Sequence, residues 1–363
     1  MRLLLLPLLA ACAPSGGVRG VQCPSLPEGV LLPDAAGPPT QIHGYGAVDA
    51  RGAWVAWNRV REGSSAFDVW LAHLGCDGTV DVGPLPVSDS EANDLDPAIA
   101  VREDGVLVAW QADVGGERNL RVRWRLFDPV TGQALGKRRE LDATGSAWMP
   151  AVAASPDGFV VAVAAAGSTV FETHLLTLDA DGALVADEAV GGDPGEGDSL
   201  PSVDVAGSGA VVAAWQRGDE VWWRDGDGVL QRLAPEGQVP AVSAWGDTAW
   251  LGHLVPKGLK VAPAGEGSRL TRTDAPPTGL SIAATDEGAF VGWYAQVDGF
   301  YGSLHLGRVD AEGALVGQVE LAADDVPAPY PLRVVRADAD HAFVVWQEGR
   351  GQEFQLKAAF VAP

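Results

Sequence analysis

Closely spaced aspartates are the residues of this sequence that most suggest chemistry, because carboxylate oxygens are the ligands that Ca²⁺ prefers. The stretches LDADGAL (178–184) and RDGDGVL (224–230) both contain Asp-x-Asp-Gly. An EF-hand-like loop needs further oxygen ligands at fixed later positions, including a bidentate glutamate, and neither stretch supplies them. Asp and Gly also suit the tight turns that join antiparallel strands. We therefore predict turns here and no resident metal or other cofactor, with Ca²⁺ binding as the alternative.

Motifs of nucleophilic and metal-dependent hydrolysis are missing from the sequence. It contains no Gly-x-Ser-x-Gly, no Ser-x-x-Lys and no His-Glu-x-x-His. The segment GQALGK (132–137) resembles a phosphate-binding loop only in part, since it is one residue short and lacks Ser or Thr after Lys137. His174 and His305 occupy matching places in separate repeats, which is typical of structural histidines. The sequence therefore leans toward a protein that is not an enzyme and leaves catalysis open.

Acidic and aromatic residues instead concentrate in polar segments that read as loops. The candidate binding residues are Asp94, Asp96, Asp113, Asp198, Tyr294, Asp298, Tyr301 and Tyr330. Loops on a rigid scaffold commonly carry function, and these would converge on one face of a scaffold built from hairpins. We predict that this face binds a cationic, carbohydrate or protein partner. The alternative is that these are solvated loops that keep an acidic protein soluble.

An internal repeat supplies the elements that would position those loops. PAIAVREDGVLVAWQ (97–111) and PSVDVAGSGAVVAAWQ (201–216) show its form. Each copy is a short strand, a turn rich in Asp and Gly, and a second apolar strand that usually ends in Trp. The corresponding end positions of the seven copies are 57, 110, 163, 215, 253, 293 and 346. Five of them are Trp, whereas Val163 and His253 occupy the other two.

A third strand of alternating pattern and a weaker fourth strand follow in most copies. LRVRWRLFD (120–128) places Leu, Val, Trp and Leu on one face and three arginines on the other, which is the period of a half-buried strand. A blade of about 40–50 residues cannot bury both faces of its sheet alone, so repeated blades indicate a propeller. We predict an all-β, seven-bladed β-propeller of four-stranded antiparallel blades, with six or eight blades as alternatives.

The last copy lacks a fourth strand of its own. It ends with EFQLKAAFV (353–361), whereas PEGVLL (27–32) near the start matches the fourth strand AEGALV (311–316). Pairing of the N-terminal strand with the last blade would close the ring and remove two exposed sheet edges. We predict this closure, with an open solenoid and a disordered N-terminal segment as the alternative.

The first residues predict a secretory leader. Arg2 precedes the apolar run Leu3–Ala10, which is too short to span a bilayer as a helix. The run ends in Leu-Ala-Ala-Cys, with Cys12 as its last residue, and this resembles the lipobox of bacterial lipoproteins. The resemblance implies cleavage before Cys12, lipid on its thiol and anchoring to a membrane. Ala13 after the cysteine resembles the pattern sorted to the outer membrane, and an ordinary signal peptide is the alternative.

This interpretation divides the chain into a signal peptide (1–11), a lipidated cysteine with a flexible tether (12–25) and the propeller domain (26–363). Once Cys12 carries lipid, Cys23 and Cys76 remain as an even pair in an oxidising compartment. We predict a disulfide between them, with two free buried thiols as the alternative. The net charge of -23 and scattered cations exclude nucleic acid as a partner class.

The repeat pattern, W-x-loop-strand-D-x-x-G-x-x-L, resembles secreted bacterial propellers of the sialidase-like, BNR-type group over residues ~26–363. The resemblance implies a fold. The Asp-box of that group, Ser-x-Asp-x-Gly-x-Thr-Trp, is not met, and SPDG (155–158) is the nearest fragment. The arginine triad and the Tyr–Glu pair of those enzymes have no assigned counterpart here, so the resemblance gives no activity.

The function predicted from these features is a lipid-anchored, non-enzymatic binding or scaffold protein of the cell envelope. The alternatives are a glycan-active enzyme, either a hydrolase or a lyase, and a component of outer-membrane assembly. Two carboxylates ~5–10 Å apart in a central pocket would favour the enzyme.

Overall fold

The computed structural model describes residues 30–31, 41–115, 119–142, 145–166, 170–191, 196–298, 301–327, 332–349 and 355–363. These residues form 28 strands, grouped as seven four-stranded antiparallel sheets that follow one another around a ring. The prediction of an all-β, seven-bladed propeller is therefore confirmed. Among the described residues, no helix has the length and hydropathy of a membrane span.

The first four blades follow the chain in order, each running from its innermost to its outermost strand. Blade one contains β2 (Gln41–Asp49), β3 (Gly52–Val60), β4 (Phe67–Gly75) and β5 (Val80–Pro86). Blade two contains β6 (Asn93–Arg102), β7 (Gly105–Asp113), β8 (Leu120–Phe127) and β9 (Arg139–Glu140). Blade three contains β10 (Ala147–Ser155), β11 (Gly158–Ala166), β12 (Phe171–Asp179) and β13 (Leu184–Ala189). Blade four contains β14 (Asp198–Val205), β15 (Val211–Arg217), β16 (Glu220–Arg224) and β17 (Leu230–Ala234).

The remaining blades continue the pattern until the last, which takes its outermost strand from the start of the chain. Blade five contains β18 (Gln238–Trp245), β19 (Thr248–Val255), β20 (Gly258–Pro263) and β21 (Arg269–Arg272). Blade six contains β22 (Pro277–Ala284), β23 (Gly288–Asp298), β24 (Tyr301–Asp310) and β25 (Leu315–Pro327). Blade seven contains β26 (Arg333–Arg336), β27 (Ala342–Glu348), β28 (Gln355–Val361) and β1 (Val30–Leu31).

Burial is highest in the second strand of a blade and lowest in the outermost strand, as blade three shows. The second strand is covered on both faces by neighbouring blades, and all but the last residue of β11 is buried. The outermost strand β13 is exposed along its whole length. The five repeat tryptophans lie between blades and are no more than 4% exposed, so truncating any one of them to alanine would cost about 3–5 kcal/mol.

Ring closure occurs as predicted. β1 pairs antiparallel with β28, with Val30 opposite Ala358 and Leu31 opposite Lys357. The fourth strand of blade seven therefore comes from the other end of the chain, and β28 gains a partner along the edge that would otherwise be open.

Serine side chains tie the innermost strands of neighbouring blades together. Ser202 accepts a hydrogen bond from the backbone N–H of Val242 at 3.1 Å, which links blade four to blade five. Ser281 accepts from the N–H of Val334 at 3.0 Å and links blade six to blade seven. These bonds satisfy backbone groups that an inner strand cannot pair within its own sheet.

The strand β8 departs from its predicted division into an apolar and a charged face. Arg123 is only 7% exposed, because its Nε donates to Glu140 at 2.7 Å and its Nη1 lies 3.7 Å from Asp94. A buried guanidinium is tolerated there because carboxylates surround it.

Candidate functional site

The innermost strands of all seven blades enclose a cavity of about 710 Å³ on the propeller axis. It lies at the end where these strands begin. In an antiparallel blade, that end also carries the loops between second and third strands and the links between blades. The cavity and the long loops therefore share one face, and the volume is typical of a site for a drug-sized molecule.

Register identifies one cavity-lining residue in each blade that lies opposite the residue preceding the repeat tryptophan or its equivalent. We call this set the axial ring. Its members are Tyr45, Ala98, Ala151, Ser202, Ala241, Ser281 and Arg333. Five of the seven are alanine or serine, which leaves the axis open. The two large members, Tyr45 and Arg333, come from adjacent blades, so the cavity has one distinctive side.

Most of the remaining wall is apolar, with Ile99, Leu200 and Leu254 among the contributing side chains. The charged residues among the described lining are Asp96 and Arg333. Such a wall suits a ligand that is largely apolar and carries a polar or charged group at one end.

Arg333 has no hydrogen bond or ion pair with any residue of the described part of the chain. Its charge nevertheless acts on its surroundings. Burial raises the pKa of Tyr45 above its usual range and Asp96 raises it further, whereas Arg333 lowers it. Burial also raises the pKa of Asp204, and hydrogen bonds and Arg333 oppose that rise. The guanidinium therefore lies close enough to two buried titratable groups to affect their pKa values, and it has no direct partner among the described residues.

Four residues at this mouth adopt left-handed backbone conformations, and each immediately precedes a proline. They are Asp96, Met149, Leu200 and Val239, with φ between 49° and 53°. Each lies at a β-bulge where the pairing of the first and second strands shifts register. A positive φ is unfavourable for side chains such as Val and Leu, and strain of this kind concentrates at functional sites.

The glutamine that follows the repeat tryptophan supports this geometry from the preceding blade. Gln111 Oε1 accepts a hydrogen bond from the backbone N–H of Met149 at 3.3 Å. Gln216 Oε1 accepts in the same way from Val239 at 3.2 Å. In these two copies the Trp-Gln pair thus combines packing between blades with an acceptor for the bulged backbone of the next blade, whereas Gln347 after Trp346 has neither amide atom hydrogen-bonded.

A smaller cavity of about 220 Å³ lies at the opposite mouth, on the face of the tight turns. Arg333 lines both cavities, and Asp204 and Arg336 line only the smaller one. The Arg336 guanidinium stacks 3.3 Å from the centre of the Trp245 ring. Asp204 accepts hydrogen bonds from the backbone N–H of Ala244 at 2.8 Å and joins blades four and five.

The predicted binding residues are scattered by the fold. Asp96 alone lines the axial cavity. Asp94 is fully buried and accepts from Trp110 Nε1 and Ser90 Oγ, both at 2.9 Å. Asp198 is 2% exposed and lies 2.7 Å from the Nε of Arg217. These two carboxylates are therefore occupied within the protein.

The other members of that set are also separated. Asp113 accepts a hydrogen bond from the N–H of Gly115 at 3.0 Å and shapes a loop. Tyr294 is fully buried in the core between blades six and seven, where burial raises the pKa of its hydroxyl. Tyr301 begins β24 and is partly buried. Asp298 ends β23, its side chain is not described, and Tyr330 lies outside the described residues.

The cysteines bear on the N-terminal predictions. Cys76 lies in the turn between β4 and β5, as expected, and is disulfide-bonded. Cys12 and Cys23 lie outside the described residues, so the Cys23–Cys76 pairing and the lipidation of Cys12 stay predictions.

The aspartates of the acidic turns bind backbone N–H groups. Asp179 Oδ1 accepts from Ala183 at 2.7 Å, and Asp225 Oδ1 accepts from Val229 at 2.8 Å. No group of three or more potential metal ligands occurs among the described residues. The carboxylates of these turns thus close hairpins, which agrees with the turn interpretation of their sequence.

Sequence reasoning missed Arg333 and Tyr45, because neither belongs to a recognised motif. A signal was present, however. Arg333 stands two residues after a proline, where the copies with Pro97, Pro150 and Pro240 have isoleucine or valine. Aligning the repeats by the strand register, rather than by their turns, brings the axial ring into one column.

No protein-family profile matches the chain, and no curated protein matches it. Solved structures match the fold. A protein of unknown function from Dyadobacter fermentans gives a TM-score of 0.55 at 13% identity, covering 92% of this chain and 98% of that chain. A neuraminidase-like protein of A/little yellow-shouldered bat/Guatemala gives 0.55 at 9% identity, covering 92% and 96%.

A catalytically inactive virginiamycin B lyase from Staphylococcus aureus, solved with quinupristin, gives a TM-score of 0.54 at 10% identity, covering 92% of this chain and 99% of that chain. At identities this low, the three likenesses show the fold alone. They place this chain among β-propellers that include neuraminidase-like structures, as the repeat pattern implied.

Proposed function

We propose that this protein is a non-enzymatic binding protein that holds a small, largely apolar molecule in the axial cavity, with an acidic group of that molecule against Arg333. The axial ring carries this proposal. Five small residues keep the axis open, and the one guanidinium among the seven has no partner in the described part of the chain. An anionic group of a ligand would supply the missing acceptor.

The enzyme alternative requires a pair of carboxylates near the axis. Among the described residues that line the 710 Å³ cavity, Asp96 is the single carboxylate. A glycoside hydrolase uses two, one on each side of the scissile bond. The geometry therefore favours binding over glycan hydrolysis, and a role in outer-membrane assembly stays a prediction.

Two dyes that differ by one acidic group test the proposal. The anionic dye 8-anilinonaphthalene-1-sulfonate and the neutral N-phenyl-1-naphthylamine share an apolar skeleton, and both fluoresce when they leave water. We expect both to bind, with the sulfonate tighter. Arg333→Gln should lower the affinity for the sulfonate dye about tenfold or more, which corresponds to the loss of a charge-assisted hydrogen bond. The affinity for the neutral dye should not change.

A second variant locates binding at the cavity. Gln238 is exposed and lines the mouth, so Gln238→Trp narrows the entrance without disturbing the core. The matched control is Gln231→Trp on the exposed rim strand of blade four. Weakening of both dyes by Gln238→Trp alone is expected. Equal effects of the two tryptophans would place the dyes on the general surface and refute the proposal.

We further propose that the chain acts at the cell envelope, held by lipid on Cys12. The Leu-Ala-Ala-Cys pattern and the short apolar run before it support this. Mass spectrometry of detergent-extracted protein should find an acylated N-terminal cysteine, and Cys12→Ser should release the protein from membranes. An unmodified, soluble wild-type protein would contradict the proposal.

A further inference from the structure

One local cluster of cations lies on the outer part of blade two of this acidic protein. The chain has 48 acidic and 25 basic residues, and six of the basic residues fall between positions 121 and 139. They are Arg121, Arg123, Arg125, Lys137, Arg138 and Arg139. This cluster is distant in the fold from the axial ring, since β8 and β9 are the two outer strands of their blade.

A cavity of about 360 Å³ lies between this part of blade two and a turn of blade three. Three of the six cations line it, namely Arg125, Lys137 and Arg139. Its two walls are joined by hydrogen bonds: Trp124 Nε1 donates to the carbonyl of Gly182 at 2.9 Å. Arg139 Nη2 donates to the carbonyl of Asp181 at 3.2 Å. The cavity is thus a fixed cleft rather than a gap between free side chains.

The cations outside this cleft are paired, and two inside it are not. Arg123 binds Glu140 at 2.7 Å, and Arg138 binds Asp89 at 2.7 Å. Lys137 and Arg139, in contrast, have no carboxylate within ion-pair distance among the described residues. In a chain where acids outnumber bases 48 to 25, two cations without a carboxylate partner in one cleft are unexpected for a surface that serves solubility alone.

We propose that this cleft binds a phosphate-bearing small molecule, with the Arg139 guanidinium and the Lys137 ammonium as donors to the phosphate oxygens. Arginine presents paired N–H donors that match phosphate geometry, and lysine adds a point charge. The volume accommodates a pyrophosphate or an organic phosphate monoester rather than one isolated ion. The site is independent of the axial cavity and of the function proposed there.

Two carboxylates also line the cleft, and they influence how tightly it should bind an anion. Asp104 is neutralised by Arg102, whose Nε and Nη2 donate to it at 2.8 and 3.0 Å. Asp181 is exposed and opposes an incoming anion. Removing the charge of Asp181 should therefore strengthen phosphate binding, which a merely structural role of this turn would not predict.

Isothermal titration of the full chain with pyrophosphate, in a phosphate-free buffer of low ionic strength, tests the site. One molecule should bind per chain. Arg139→Gln and Lys137→Gln should each weaken binding about tenfold, as expected for a charge-assisted contact. Arg138→Gln is the matched control, since it removes the same charge from the neighbouring residue that faces Asp89 outside the cleft. It should change affinity by less than about twofold, and Asp181→Asn should tighten binding.

Absence of binding to the wild-type chain would overturn the proposal. An equal loss in Arg138→Gln and Arg139→Gln would also overturn it, because it would indicate a general charge effect. Vesicles containing phosphatidylglycerol distinguish the source of the phosphate. Vesicle binding that falls in Arg139→Gln but not in Arg138→Gln supports a lipid headgroup, whereas pyrophosphate binding without vesicle binding supports a soluble ligand.

Discussion

At the level of single residues, the side chain after the repeat tryptophan supports the next blade in some copies and not in others. Gln111 is 8% exposed, and its Oε1 accepts the backbone N–H of the left-handed Met149. Asn58 occupies the same position in blade one, is fully buried, and has neither amide atom hydrogen-bonded. Asparagine is one methylene shorter than glutamine, but length alone does not account for the difference, because Gln347 at the same position in blade seven also has neither amide atom hydrogen-bonded.

This difference predicts opposite responses to the same change. Gln111→Leu should lower the free energy of unfolding by about 1–3 kcal/mol, because the partly buried N–H of Met149 loses its acceptor. Asn58→Leu should leave that free energy unchanged or raise it by up to about 1 kcal/mol, because an unpaired amide is replaced by an apolar group of similar shape. Urea denaturation of the two variants checks this, and equal losses would contradict it.

At the scale of the element, a histidine holds the strands of blade one together. His73 on β4 is fully buried, with Nδ1 2.6 Å from Asp81 of β5 and Nε2 3.1 Å from Asp49 at the end of β2. Trp54 Nε1 on β3 donates a hydrogen bond to Asp49 at 3.2 Å. The imidazole thus links β4 to β2, which is not its neighbour in the sheet, as well as to β5, which is.

This network makes the stability of the blade depend on pH. Burial raises the pKa of Asp49, but hydrogen bonds from His73 and from the backbone of Arg51 outweigh it and bring the pKa from 3.8 to about 2. A carboxyl with a lower pKa in the folded state contributes stability above its unfolded pKa. That contribution is lost as the pH falls from about 4 to about 2 and amounts to about 2 kcal/mol.

The measurement is the free energy of unfolding at pH 5 and pH 2. Wild type should lose about 2 kcal/mol more over this range than Asp49→Asn, which has no carboxyl to protonate. The control is Asp142→Asn at an exposed position, which should follow wild type. Identical losses in wild type and Asp49→Asn would show that this carboxyl does not contribute to acid sensitivity.

At the scale of the whole molecule, the ring depends on a pairing between the two ends of the chain. The two residues of β1 supply the fourth strand of blade seven, and without them β28 becomes an unprotected edge. An exposed edge strand pairs readily with another chain, so we expect closure to contribute to stability and to reduce association through this edge.

Two truncations that differ only in β1 test this contribution. A chain beginning at residue 26 retains β1, whereas a chain beginning at residue 33 lacks it, and both lack Cys12 and Cys23. The shorter chain should melt at least about 3 °C lower, since each kcal/mol corresponds to a few degrees in a domain of this kind. It should also associate with rising concentration in size-exclusion chromatography. Equal melting temperatures would mean that pairing of β1 with β28 does not contribute to thermal stability.

The architecture can be predicted from the repeat pattern, because blade-forming information is local and periodic. Alternation along β8, Asp-Gly turns and a buried Trp at the end of the second strand recur often enough to give the strand order and the number of blades. The match of PEGVLL to a fourth strand even predicted the closure. The lipobox resemblance is local in the same way, although the described residues do not include it.

Which residues meet depends on the folded ring and is not visible in the repeat pattern. The loop residues Asp94 and Asp198 looked accessible, yet their carboxylates turn inward to Trp110 and Arg217. Arg333 and Tyr45, 288 positions apart in the chain numbering, share the axial ring because closing the ring makes the last blade the neighbour of the first. The local sequence pattern indicates on which face of its own sheet a side chain lies. What lies opposite that side chain depends on blades far away in the sequence, and that arrangement exists only once the ring has formed.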